Sequence, residues 1–211
     1  MLFRSNPPDG YSMVNFHVGD AVHDLVQTAI INKWPEAQTE CEGLIGDFLS
    51  GHCDVLYRAE DGDLVVCEIK STADFAFEKA TGAELKSNGR WRKKEKEPPE
   101  GPKREHKLQA GIYAQMLGAS YVAIVYVRKT AALGEPVTWE WRFTADELSD
   151  ATEAEIARLR GIVEDVRAGW ISPREFEGEI IERPEKTKWP CLYCSFRDAC
   201  VQLGAGAVEV K

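Results

Sequence analysis

No apolar run in this sequence approaches the ~20 residues that a membrane-spanning helix needs, so a membrane partner is not expected. The first ten residues hold Pro7, Pro8 and Asp9 where a signal peptide would need an apolar stretch. Secretion is therefore not expected either, and a cytoplasmic location is. Internal repeats and long linkers are missing too. Positive charge is in short supply: 26 Lys and Arg stand against 35 Asp and Glu, a net charge of −9. Taken as an average, that balance argues against a nucleic-acid partner. The six cysteines then sit in a reducing compartment, where metal binding or catalysis is a better default than disulfides.

What is present describes an ordinary globular chain. Its 211 residues are 44% apolar and 29% charged, enough for one sizeable domain with its own core. The charge is unevenly spread. Between Lys79 and Lys107 lie ten basic and five acidic residues, so this stretch carries +5 and the remainder −14. A basic segment on an acidic body suits contact with a polyanion. Charge runs are nevertheless most often solvated loops, so the segment alone decides nothing.

Apolar residues at Val18, Ala21, Val22, Leu25, Val26, Ala29 and Ile30 predict an amphipathic helix from Val18 to Trp34, ended by Pro35. From Thr39 to Lys70 the texture becomes β-like. Its clearest part is a hairpin, Cys53 to Tyr57 and Leu64 to Ile69, around the turn Glu60-Asp61-Gly62-Asp63. Arg104 to Leu117 reads as a helix stopped by Gly118. Tyr121 to Val127 is a near-continuous apolar run, the mark of a strand buried on both faces, and Val137 to Phe143 reads as an edge strand. Asp146 to Ala168 reads as a helix with Ile156, Leu159, Ile162, Val163 and Val166 on one side. The expected fold is α/β, a mixed sheet flanked by helices.

The hairpin turn sets Asp54 opposite either Glu68 or Lys70. Side chains alternate along a strand, so Glu68 and Lys70 share a face. Two carboxylates and an ammonium then crowd one patch. Like charges that close are costly unless a cation lies between them, and hard oxygen donors favour Mg²⁺ or Mn²⁺. A lysine beside such an ion can orient a water and steady developing negative charge. That machinery suits phosphodiester hydrolysis. The bland reading is a surface ion pair on a strand.

Gly51-His-Cys-Asp54-Val55, Val66-Cys-Glu68-Ile69-Lys70 and Gln109-Ala-Gly-Ile-Tyr113 together resemble the PD-(D/E)XK nucleases of the RecB-like branch. The resemblance implies a restriction-endonuclease-like core at 1–170. It implies metal binding by Asp54, Glu68 and the carbonyl of Ile69, and a Lys70 that serves the attacking water. Gly19-Asp-Ala-Val-His23 matches the branch's earlier Gly-x-x-x-His helix, making His23 a further ligand. Gln109 and Tyr113, four apart on one helical face, would line the DNA side.

Cys191-x₂-Cys194-x₅-Cys200 is too tightly spaced for three unrelated thiols and reads as a metal site needing a fourth ligand. Spacing alone does not separate zinc from iron–sulfur. The same pattern trails the nuclease domain in the CRISPR-associated protein four family and in AddB-type nucleases. There it holds a 4Fe–4S cluster, which the resemblance implies for an appendage at 171–211. Those families put their first cysteine before the Gly-x-x-x-His helix, and here none precedes His23. Cys41, Cys53 and Cys67 remain, and Cys41 is the preferred fourth ligand. Cys53 and Cys67 adjoin the acids and are expected to point into the core. A three-cysteine cluster and a non-cysteine ligand are the alternatives.

The expectation is a Mg²⁺- or Mn²⁺-dependent deoxyribonuclease, an exonuclease acting on single-stranded or frayed DNA ends in recombination, repair or CRISPR-type integration. Trp91 would stack on a base, and the basic segment would meet phosphates. The alternatives are a nucleic-acid-binding metal knot and an end-trimming subunit active only with its partners.

Overall fold

The computed structural model describes residues 10–85, 91–93, 99–129, 138–171 and 208–209. Helix α1 (Gly10–Lys33) leads into β1 (Gln38–Ile45), β2 (Leu49–Arg58) and β3 (Leu64–Thr72). Helix α2 (Asp74–Thr81) and the short strands β4 (Ala83–Leu85) and β5 (Trp91–Lys93) follow. Then come α3 (Arg104–Leu117), β6 (Tyr121–Arg128), β7 (Thr138–Thr144) and α4 (Ala145–Arg167). One compact unit spans Val14–Ile156. Of the other, the description covers Gly10–Met13 at the start of α1, the C-terminal turns of α4 and the antiparallel pair β8 (Trp170–Ile171) and β9 (Val208–Glu209).

The first unit is an α/β fold on a five-stranded mixed sheet, ordered β1-β2-β3-β6-β7. Only β3 and β6 run parallel, Val65 beside Tyr121 through Thr72 beside Arg128. A parallel pair needs a long crossover, and α2 and α3 lie within it. Both strands are Val-rich and nearly free of exposed positions, as two-sided burial requires.

Helices cover both faces. On one, Val22, Val26 and Ile30 of α1 and Trp34 just beyond it pack on Val55, Tyr57, Val65, Cys67, Ile69 and Ala123. Trp34 stacks on Tyr57 with ring centres 4.5 Å apart. On the other, Phe77 and Ala80 of α2, Ala110 and Ala114 of α3 and Leu148 of α4 meet Cys53, Val66, Val122, Ile124 and Tyr126. The seat for α3 is a cross-strand pair of glycines, Gly43 and Gly51. A Cβ on either would lie 2.7 Å from the side chain of Met116 or Tyr113, so only glycine lets the helix approach this closely.

The α3 boundaries agree with the sequence, and Gly118 ends the helix in the left-handed conformation at φ 67°. Strand β7 is an edge, as expected. Three elements differ. Helix α1 starts at Gly10, earlier than its apolar spacing indicated. Part of the basic stretch, to which no element was assigned, is the end of α2 and the antiparallel pair β4–β5. In α4 the buried residues are Leu148, Thr152 and Ile156, while Val166 is 50% exposed. Of the expected stripe, Ile156 is buried and Leu159, Ile162 and Val163 are half-buried, so only Val166 falls outside it, while Leu148 and Thr152 extend it toward the N-terminus. No helix among the described residues is long and apolar enough to cross a membrane.

Candidate active site at the end of strand β3

The β2–β3 pairing sets Val55 opposite Cys67, which chooses between the two registers and puts Glu68, rather than Lys70, across from Asp54. Asp54 Oδ2 accepts a 2.6 Å hydrogen bond from the Ile69 amide. Its Oδ1 lies 3.4 Å from His23 Nδ1 on α1. Lys70 Nζ donates to Glu68 Oε2 at 2.8 Å. His23, Asp54, Glu68, Ile69 and Lys70 are therefore brought together.

The strand is irregular where Asp54 sits. Cys53 packs in the α3 layer and Val55 in the α1 layer, although residues two apart in a regular strand share a face. Between the pairs Thr39–Val55 and Cys41–Cys53, Glu40 lies opposite Asp54 with a positive φ of 51°. Such a left-handed non-glycine residue is uncommon and marks a local kink. At this kink the Asp54 carbonyl accepts a side-chain hydrogen bond. Gln27, one turn beyond His23 on α1 and only 9% exposed, donates to that carbonyl at 3.0 Å and to Glu40 Oε1 at 2.8 Å. Gln27 thus clamps both sides of the kink. Sequence reasoning missed it. The available signal was its helical spacing, four residues past His23 and eight past Gly19.

Glu68 is fully buried, and its Oε1 has no hydrogen-bond partner. Burial pushes its carboxyl up to about 7, against the opposing pull of Lys70. The hydrogen bond to Asp54 raises His23, against the opposite effect of burial. A cavity of about 330 Å³ opens at the carboxyl end of β3, lined by His23 and Lys70 together with Lys103, His106 and Tyr126. His106 and Tyr126 are further residues that the sequence did not single out.

Gln109 and Tyr113 lie elsewhere. Gln109 Nε2 donates to the Tyr113 hydroxyl at 3.3 Å, and both line a separate, more apolar cavity with Leu49, Ser50 and Met116. Cys53 and Cys67 are buried free thiols in opposite layers, packing as small hydrophobes. Cys41 is half-buried directly across from Cys53, and burial raises its thiol. Cys191, Cys194 and Cys200 lie outside the described residues, as do the side chains of Trp91, Arg92 and Lys93. Among the described residues no three His, Cys, Asp or Glu side chains already stand as a metal-holding group.

No family model and no curated protein matches the chain. A solved structure described as the crystal structure of SSO0001 aligns with a TM-score of 0.45 and 19% identity, over 86% of this chain and 68% of that one.

Proposed function

We propose that this protein is a metal-dependent deoxyribonuclease of the RecB-like PD-(D/E)XK kind, with a restriction-endonuclease-like core. One observation carries the reading. Two carboxylates from paired strands, an imidazole and a lysine converge at the carboxyl end of β3, held by contacts among themselves and with the Ile69 amide.

The donor set suits Mg²⁺ or Mn²⁺. Two carboxylates and a backbone carbonyl are hard oxygen donors, and His23 Nδ1 lies 3.4 Å from Asp54 Oδ1. The unpartnered Glu68 Oε1 is a buried acceptor suited to a cation. Asp54, His23, Glu68 and the Ile69 carbonyl would hold the ion. Once bound, it would supply Lewis acidity to the phosphodiester and lower the pKa of a water.

The remaining work falls to the chain. The Ile69 amide fixes Asp54 Oδ2 and leaves Oδ1 turned toward His23. Lys70 Nζ has three N–H donors and gives one to Glu68. The other two are available to orient an attacking water and to stabilise the charge that grows on the phosphoryl oxygens. By the same resemblance, Cys191, Cys194 and Cys200 hold a 4Fe–4S cluster with Cys41 as the fourth ligand, and DNA is the partner.

The test is cleavage of linear single-stranded DNA. Activity is expected with Mg²⁺ or Mn²⁺ and none in chelator. Lys70→Ala should lose turnover yet bind DNA, because it removes the group that serves the water and leaves the carboxylates. Cleavage by Lys70→Ala at the wild-type rate would overturn the assignment.

A further inference from the structure

The cavity beside Lys70 has an unusual lining for so acidic a chain. No Asp or Glu lines it among the described residues, whereas Lys70, Lys103, His23 and His106 all do. Its volume of about 330 Å³ falls within the ~300–1,000 Å³ of small-ligand sites. Ala76 of α2 and Ala73 just before it are the small residues that this part of the chain presents there.

One wall is built as a relay. The Lys103 amide donates to the Tyr126 hydroxyl at 2.9 Å, and His106 Nδ1 lies 2.7 Å from the same oxygen. The phenol oxygen already accepts from Lys103, so its own hydrogen is available to Nδ1. Tyr126 is buried and locked edge-on between His106 and Trp141, so this geometry has little freedom. A neutral ring whose Nδ1 accepts must carry its hydrogen on Nε2. Burial and the nearby charge of Lys70 keep the ring neutral, lowering His106 to about 4. In that tautomer the ring, which lines the cavity, has Nε2–H as its free donor.

We infer that this cavity holds a phosphate of the nucleic-acid strand, one flanking the bond that is cut, with His106 Nε2–H and the ammonium group of Lys103 as its donors and the nearby charge of Lys70 as a further attraction. The inference rests on the nuclease reading for the identity of the strand, but not for the existence of the anion site. His106 acts here as a binding and positioning residue. It sets where the strand lies relative to Lys70, and it takes no proton.

Two measurements test this on the intact chain. In the first, inorganic phosphate is titrated while the His106 ring protons are followed by NMR. Saturable shifts are expected in the wild type, weakened at least several-fold in Lys103→Ala, whose side chain is more than half exposed and whose loss should not unfold the protein. Absence of any shift overturns the site whatever the enzyme does. In the second, linear single-stranded DNA carrying one uncharged methylphosphonate at successive positions is offered with Mn²⁺. At one position next to the cut the wild-type KM should rise about tenfold to a hundredfold, as expected for a lost charge-assisted hydrogen bond. His106→Ala should show a similar KM increase on unmodified DNA, little change in kcat and indifference to that methylphosphonate. His106→Asn, which keeps an N–H, should recover part of the affinity. If His106→Ala cuts with wild-type KM and the wild-type methylphosphonate profile, the inference fails while the nuclease reading stands. If the wild type cuts nothing but phosphate still shifts His106, the nuclease reading fails and the anion site stands. Should His106→Ala not fold, Lys103→Ala takes its place in the second measurement.

Discussion

Replacing Gln27 by Leu removes the clamp at the Asp54 kink while keeping a helix-compatible side chain of similar size. The amide makes two hydrogen bonds, and their losses are unequal. Glu40 is exposed, so its carboxylate turns to water and the loss there is small. The Asp54 carbonyl loses its bond from Gln27 at a part-buried position, where an acceptor left unsatisfied costs ~1–3 kcal/mol. A net loss of about 2 kcal/mol follows, partly offset by the apolar gain of leucine at a buried site. For a chain of this size that corresponds to a drop of ~4–8 °C in Tm. Glu40→Ala, removing only the exposed partner, should cost less than ~0.5 kcal/mol. The clamp also aims the Asp54 side chain, so Gln27→Leu should lower kcat for DNA cleavage about tenfold or more, with KM nearly unchanged. Thermal melting by circular dichroism and steady-state cleavage read out the two effects. A Gln27→Leu protein whose Tm and kcat both match wild type would refute the clamp.

Other consequences are equally direct. Gly111→Ala would drive its Cβ into Thr152 Oγ1 across the α3–α4 contact, costing ~1–3 kcal/mol. Thr152→Ala should relieve most of that in the double variant, since Thr152 Oγ1 is buried and unpaired; additive losses in a double-mutant cycle would rule out the clash. Stability against pH should carry two opposing contributions. His106, lowered from 6.5 to about 4, stabilises the fold above pH ~6.5 and loses that contribution as pH falls toward 4. Glu68, raised from 4.5 to about 7, favours the fold below pH ~4.5, and that advantage is lost as pH rises through 7. His106→Gln should therefore leave Glu68 dominant, and its stability relative to wild type should improve on going from pH 8 to pH 5; an unchanged difference would contradict the assignment. Cys194→Ser should lower Tm and iron content together, and a variant keeping both while losing cleavage would make the cysteines catalytic rather than structural.

Much of this was readable from residues alone, and the exceptions share a cause. Helix α3 was legible because its periodicity is uninterrupted and Gly118 stops it. The β2–β3 hairpin was legible because its turn and its strands lie within a few residues of each other. The start of α1 was not, since Met13, Val14 and Phe16 are exposed apolar residues that blur its pattern. Helix α2 has only eight residues, and its end was absorbed into a stretch read for its charge. The kink at Asp54 depends on the backbone angle of Glu40 and on a glutamine far away in the chain, information that no local window contains. His106 was hidden among basic neighbours, and its role appears only once β6 brings Tyr126 beneath it.

The kink at Glu40 has a consequence for how this protein keeps to itself. Strand β1 is an outer strand of the five-stranded sheet, with one side of its backbone unpaired by the sheet. A flat outer strand is a template on which another chain can add. A left-handed residue bends β1 after its second position, and the charged Glu40 and Glu42 stand exposed on either side of Cys41. A neighbouring strand would meet a bent backbone and two negative charges there. The irregularity that turns Asp54 toward His23 thus also makes this border of the sheet a poor surface for self-association.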